Sequence, residues 1–275
     1  MLPTPSTSHV CFDTIYEPAE DSYLLLDTLS SSTESTWLSR RFGTSQTECQ
    51  TPSPPPLVAE LGTGSGVVLA FAAANAEHIF GRPDILTLGI DANKNACTAT
   101  EKTVHIALEE KRQQQLESPC QAFTADGGSQ PQMLAAITGD LSSAVRSGVI
   151  DVLIFNPPYV PTPELPALPS VRSNTEGAVG TSKFEEDSYL LSLSYAGGED
   201  GMETTNRLLD DIPHILSPDR GVAYILLCAQ NKPHEVIQRV KSWAADWNAE
   251  IVGRSGVQAG WEKLVIVRIW REAAL

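Results

Sequence analysis

Leu57-Val58-Ala59-Glu60-Leu61-Gly62-Thr63-Gly64-Ser65-Gly66 is the stretch that decides the fold. Five mostly apolar residues read as a buried strand, and three glycines at alternate positions turn the chain into an apolar helix that starts at Val67. This is the glycine-rich first βα turn of a doubly wound α/β fold. Small residues let the backbone come close to a ligand, and the helix start offers N–H groups that no preceding turn uses. A lone G-x-G-x-G is weak evidence, because glycine-rich turns are common. Here it lies between a strand and a helix, the context that gives it meaning, with the helix expected to reach about His78.

Working outward, Ile85 to Ile90 reads as a second strand ending in Asp91. An acidic residue one βα unit after the glycine loop is placed to accept both hydroxyls of a ribose. It also serves as an N-cap for the helix expected from Asn93 to about Gln114. Cys120 to Ala125 reads as a short third strand closed by Asp126-Gly127-Gly128. Asp126 is placed to accept from an adenine amino group, although Asp-Gly is an ordinary loop signal too. Ile150 to Phe155 forms a fourth strand, stopped by Pro157 and Pro158. A long proline-rich loop to about Ser182 follows, then a helix over Glu203 to Leu216, a strand over Val222 to Cys228 and an amphipathic helix over Pro233 to Trp247. Strands at Ala249 to Gly253 and Leu264 to Trp270 close the chain as an antiparallel pair. The expectation is an α/β, Rossmann-like fold: a mostly parallel seven-stranded sheet, helices on both faces, and a C-terminal antiparallel hairpin.

At 275 residues the chain suits one domain over 1–275. Residues 1–14 read as a loose tail, and 15–29 hold a helix led in by Pro18, Glu20 and Asp21. Residues 30–56, rich in Ser, Thr and Pro, read as an inserted loop that Trp37 and Phe42 pin to the surface. The catalytic core is expected over 57–275. No apolar run reaches the ~20 residues that span a bilayer, and the polar N-terminus lacks a signal-peptide layout. The expected location is the cytosol, and also the nucleus. Five scattered cysteines without a CxxC pair argue against disulfides and against an internal zinc site. A net charge of −15 disfavours direct binding to nucleic acid, where phosphate contacts dominate affinity, and suits a protein substrate better.

The chemistry centres on Asn156-Pro157-Pro158-Tyr159, directly after the fourth strand. Ligands of open α/β sheets bind beyond the carboxyl ends of strands. The Asn156 amide oxygen and the Pro157 carbonyl are two acceptors that can hold a planar NH2 group by both hydrogens. Tyr159 can supply a flat face beneath it. Methylation of a weakly nucleophilic planar nitrogen is one of the few chemistries that needs such a slot. The bland alternative is a strand followed by a proline-stiffened turn.

A dinucleotide oxidoreductase would show G-x-G-x-x-G, and this spacing departs from it. The order Glu60, G-x-G-x-G, Asp91, Asp126 and Asn-Pro-Pro-Tyr resembles the class I S-adenosylmethionine-dependent methyltransferases. Within them the chain looks like the eukaryotic branch of the HemK family, which methylates the GGQ glutamine of translation release factors at N5. Tyr16-Glu17-Pro18-Ala19-Glu20-Asp21-Ser22, Phe155 to Pro163 and Ala196-Gly197-Gly198-Glu199-Asp200-Gly201 extend the likeness over nearly the whole chain outside residues 30–56 and part of 164–190.

The resemblance implies S-adenosylmethionine as cofactor. Glu60 and the Gly62, Gly64 and Gly66 backbone would hold its methionine part. Asp91 would take the ribose, and Asp126 with the Gly127 backbone the adenine. Asp21 and Ser22 would close over the cofactor, next to Asn156. Asn156 and Pro157 would grip the substrate amide, while Pro158 and Tyr159 shape its slot. No metal is implied. The resemblance further implies a small zinc-binding activator subunit, for which an edge third strand at Ala122-Phe123 is a docking place. The same slot suits, less well, a lysine amine in a histone tail or adenine N6, and a methyltransferase fold retired to a scaffold is the non-enzymatic alternative.

Overall fold

The computed structural model describes residues 2–44, 53–117, 130–168, 182–256 and 263–272. Seven strands form one sheet: β1 (Leu57–Leu61), β2 (Leu86–Asp91), β3 (Gln132–Thr138), β4 (Val152–Phe155), β5 (Val222–Cys228), β6 (Trp247–Arg254) and β7 (Leu264–Arg271). Their order is β3-β2-β1-β4-β5-β7-β6. The first five run parallel, and β7 is antiparallel to both β5 and β6. This is the expected architecture, hairpin included.

Strand side chains divide the core in two. Val58, Val152, Ile154, Val222, Tyr224 and Leu226 face one apolar cluster. Ala59, Leu61, Leu153, Phe155, Ala223, Ile225 and Leu227 face the other. Both faces are therefore buried, which is why these strands read as unbroken apolar runs. The first cluster packs under α1 (Glu20–Ser30), α2 (Ser32–Phe42), α3 (Val67–Ala74), α4 (Ala76–Phe80) and α5 (Lys94–Glu117). The second lies under α7 (Glu203–Ile215) and α8 (Pro233–Lys241). The remaining helix, α6 (Lys183–Tyr195), contributes no buried residue to either.

Several sequence expectations change. The helix expected from Val67 to about His78 breaks at Asn75 into α3 and α4, and the one expected over Pro233 to Trp247 ends at Lys241, so that Trp247 opens β6. The third strand among the described residues is Gln132–Thr138, and the one expected at 120–125 lies outside them. Residues 118–129, with Asp126, Gly127, Ala122 and Phe123, lie outside the described residues. The segment from 30 is not a loop in its first part: α2 is capped by Ser31, whose side chain accepts from the Glu34 N–H, and it buries Leu38 and Phe42. Helix spacing of two large apolar residues outweighs a Ser- and Thr-rich composition. Finally, the N-terminal segment is not loose throughout. The Thr14 carbonyl accepts from Asn93 Nδ2 at 2.7 Å, and Ile15 packs on Ala96 and Ala99 of α5.

Candidate active site

The strand order changes direction beside β1, since β2 lies on one side of it and β4 on the other. Chain leaving the carboxyl ends of β1 and β4 therefore diverges and opens a crevice. A cleft of about 280 Å³ occupies that place, walled by the loops after β1 to β4, by Thr14 to Tyr16 and by α6.

Glu60 lies near the end of β1 and is almost wholly buried. Its Oε2 accepts the Leu69 N–H at 3.0 Å, one of the donors that the start of α3 leaves over. Burial pushes its carboxyl well above the usual range; the Leu69 hydrogen bond opposes this and the nearby Asp91 charge adds to it. A buried carboxylate held by one N–H among the described residues is what a positively charged ligand would relieve.

The glycine turn is tied to β2 at both ends. The Gly62 N–H donates to the Ile90 carbonyl at 2.8 Å, and the Gly64 N–H to Asp91 Oδ2 at 3.0 Å. Asp91 Oδ1 accepts the Asn93 N–H at 2.8 Å. Asp91 thus holds the loop and caps the following turn, while burial raises its pKa against those two N–H donors. Gly62 and Gly64 line the cleft, and nothing lies within 4 Å of where a Gly64 Cβ would stand. Gly66 does not line it. Its φ is +77°, and a Cβ there would come within 2.6 Å of Thr100 Cα, so this glycine lets α5 pack against the turn.

Asp21, Ser22, Asn156, Pro157, Pro158 and Tyr159 also line the cleft. Asn156 Nδ2 donates to Asp21 Oδ2 at 3.2 Å, joining α1 to the end of β4. Asn156 Oδ1 is buried and has no hydrogen-bond partner among the described residues. Behind the motif, the Gly197 N–H donates to the Val160 carbonyl at 2.8 Å, and the Val160 N–H to the Tyr195 carbonyl at 3.0 Å. Asn231, at the end of β5, donates to the carbonyls of Asp200 and Gly201. The 196–201 loop is thereby a backstop for the Pro158-Tyr159 backbone.

Sequence reasoning missed Asp140, which follows β3 and lines the cleft where an acidic residue after the third strand was expected. It pairs with Arg207 at 2.5 Å, another lining residue. The signal was present, since Met133 to Ile137 is an apolar run followed by Gly139-Asp140. The α6 wall, with Leu190 and Leu193 on the cleft, was missed as well.

No protein-family model matches the chain. The eRF1 methyltransferase catalytic subunit mtq2 of Schizosaccharomyces pombe is 30% identical over 275 residues, covering 98% of this chain and 96% of that protein. The chain belongs to the HemK family of methyltransferases. Methyltransferase HEMK2 of Mus musculus is 29% identical over 94% of both chains. The putative protein N5-glutamine methyltransferase MJ0928 of Methanocaldococcus jannaschii is 26% identical over 94% of this chain and 92% of its own. A HemK-family assignment accounts for both halves of the cleft: the acidic, glycine-lined half at β1 to β3, and the amide-bearing half at β4.

Proposed function

We propose that this chain transfers a methyl group from S-adenosylmethionine to the side-chain nitrogen of the GGQ glutamine in a class I eukaryotic release factor. The observation that carries this reading is Asn156 Oδ1, a buried acceptor without a described partner, on a residue that lines the cleft. A glutamine amide brings two N–H donors in one plane. Asn156 Oδ1 and the Pro157 carbonyl accept them, and Tyr159 limits how the plane can tilt. Amide nitrogen is a poor nucleophile because its lone pair is delocalised. Fixed acceptors gain strength as positive charge develops on that nitrogen, which is preorganised electrostatic stabilisation. Holding the nitrogen in line with the methyl group adds to it. The proton then leaves to water.

The residues present fit the cofactor. Glu60 and the Gly62 and Gly64 backbone would hold its amino-acid end, Asp91 its ribose, and Asp140 its adenine side, where Asp126 was expected. When bound, the cofactor's sulfonium makes the methyl group electrophilic, so the protein need only bind, orient and exclude water. Support for the substrate comes from the fission-yeast relative, described as an eRF1 methyltransferase, and from the archaeal relative, described as an N5-glutamine methyltransferase.

The words "catalytic subunit" in the first of these support a second polypeptide here too. We place a small zinc-binding activator against β3, the edge strand among the described residues, with Leu134 more than half exposed. A translation-factor substrate supports a cytosolic location.

The test is intact-mass and peptide analysis of a release factor incubated with S-adenosylmethionine and this chain, co-expressed with the activator. One added methyl on the GGQ peptide, absent when GGQ is changed to GGN, is the expected result. Methylation of lysine instead would overturn the reading. Asn156→Ala should keep cofactor affinity and lose at least ~100-fold in turnover.

A further inference from the structure

Asp21 and Asn156 are 135 residues apart in sequence and joined by one hydrogen bond, from Nδ2 to Oδ2 at 3.2 Å. Asp21 is 4% exposed. Its other oxygen, Oδ1, accepts the Ser22 N–H at 2.6 Å and the Ser22 hydroxyl at 3.3 Å. The carboxylate is therefore fixed at one end by its own helix and presents the other end to Asn156. A carboxylate only accepts, whereas an asparagine amide has a donor end and an acceptor end. Of the two orientations the amide can take, one sets Oδ1 against a carboxylate oxygen, and acceptor against acceptor is repulsive. The pairing thus permits a single orientation, with NH2 on Asp21 and Oδ1 turned away from it. That is the oxygen left without a partner among the described residues.

We infer that Asp21 is a positioning residue for methyl transfer, holding the Asn156 amide so that its oxygen, not its nitrogen, faces the substrate. The inference rests on the proposed glutamine reading and goes beyond it by giving Asp21 a task other than closing over the cofactor. The charge also has an electronic effect. A carboxylate accepting from Nδ2 polarises the amide and leaves Oδ1 a stronger acceptor. The amide nitrogen of the substrate needs such an acceptor most when it is taking on positive charge.

Asp21→Asn changes one atom and reverses the logic. The new side chain has a single oxygen, toward which both Ser22 donors already point. Its NH2 then faces Asn156, which must turn its own oxygen to meet it and its NH2 into the slot. Two donors would confront two donors.

The experiment compares wild type, Asp21→Asn, Asn156→Asp and the double variant, as full chains with the activator and release factor. It reads kcat, KM and the dissociation constant of S-adenosylhomocysteine. For Asp21→Asn the expected result is a kcat at least 100-fold lower, a loss at least tenfold larger than any fall in cofactor affinity. Asn156→Asp alone sets two carboxylates together and is also inactive. The double variant exchanges the two groups: the amide now on α1 donates to one oxygen of the carboxylate now at the end of β4. The second carboxylate oxygen then faces the slot, so kcat recovers at least tenfold over either single variant. A cofactor affinity that falls in step with kcat, or a double variant no better than the singles, would overturn the inference. The side-chain amide resonances of Asn156 give a readout apart from turnover: in Asp21→Asn its Nδ2 protons should exchange with solvent at least tenfold faster, and unchanged exchange would refute it. If wild type leaves GGQ unmodified while this exchange result holds, the function fails and the positioning stands.

Discussion

Arg268 Nη1 donates to both carboxylate oxygens of Glu34, at 2.9 and 2.8 Å, across 234 residues of sequence. Both side chains are almost wholly buried. The Tyr224 hydroxyl donates to Glu34 Oε2 at 2.9 Å, and the guanidinium lies 4.1 Å from the Trp37 ring centre and 4.7 Å from that of Trp270. Glu250 is a further partner. Helix α2 is thus bolted to β5 and β7 through a charge cluster. Glu34→Ala would leave a buried guanidinium without its main counter-charge, which costs about 3–5 kcal/mol. Replacing Glu34 and Arg268 together by apolar residues should cost less than Glu34→Ala alone. Denaturant unfolding of the three chains checks the ordering.

Glu60 gives a pH prediction. Its folded pKa lies well above the ordinary carboxylate value because burial disfavours the charge. The folded chain without cofactor therefore bears a cost at neutral pH. That cost shrinks as pH falls through the raised pKa and is gone below the unfolded value. A bound cation favours the ionised form, so affinity for S-adenosylmethionine should weaken as pH drops through the same window. Glu60→Gln should raise the melting temperature of the cofactor-free chain at pH 8. It should also weaken cofactor binding by ~10-fold or more, the loss of a charged hydrogen bond, and flatten its pH dependence. Binding titrations over a series of pH values in which the chain stays folded read both.

Asp140 and Asp126 make competing claims on the adenine side. Asp140 lines the cleft after β3. Asp140→Ala should weaken cofactor binding about tenfold, the worth of one charged hydrogen bond. Asp126→Ala should leave it within about twofold. Calorimetric titration of S-adenosylhomocysteine into each variant distinguishes them.

Gly201 tests the backstop. Its φ is +67°, and a Cβ there would run into the Tyr159 carbonyl. Gly201→Ala must displace the Tyr159 backbone in the proposed substrate slot, while the loops after β1 and β2 stay as they are. A loss of about 100-fold in kcat/KM is expected from such a misplacement, with cofactor affinity preserved. Steady-state kinetics beside a binding titration checks it.

The parts of this protein that sequence made legible are those where one physical signal stood alone. Strands β1 and β5 sit where their apolar runs are, and Glu60, Asp91 and Asn156 lie at the ends of strands whose buried runs left no other reading. Two runs competed for the third strand, Cys120 to Ala125 and Gln132 to Ile137, each followed closely by an aspartate, and only the second lies among the described residues. Helices α2 and α6 were hidden by composition. Both carry a serine three residues before a glutamate, Ser31 with Glu34 and Ser182 with Glu185, and each of those serines caps its helix. In α6 no side chain is buried, so no apolar stripe was there to find. The link from Asp21 to Asn156 joins residues 135 apart, and periodicity speaks only of neighbours.

The clamp of α2 onto β7 also sets an order of events during synthesis. Strands β1, β2 and β4 can pair while the chain is still growing, but Glu34 meets Arg268 only after β7 has emerged. Contacts so distant in sequence close late, because a large loop must be ordered first. Asp21 rides on the same helical pair, so the proposed substrate slot receives this wall late. A half-made enzyme, still on the ribosome, would have a formed glycine turn and no settled place for a glutamine.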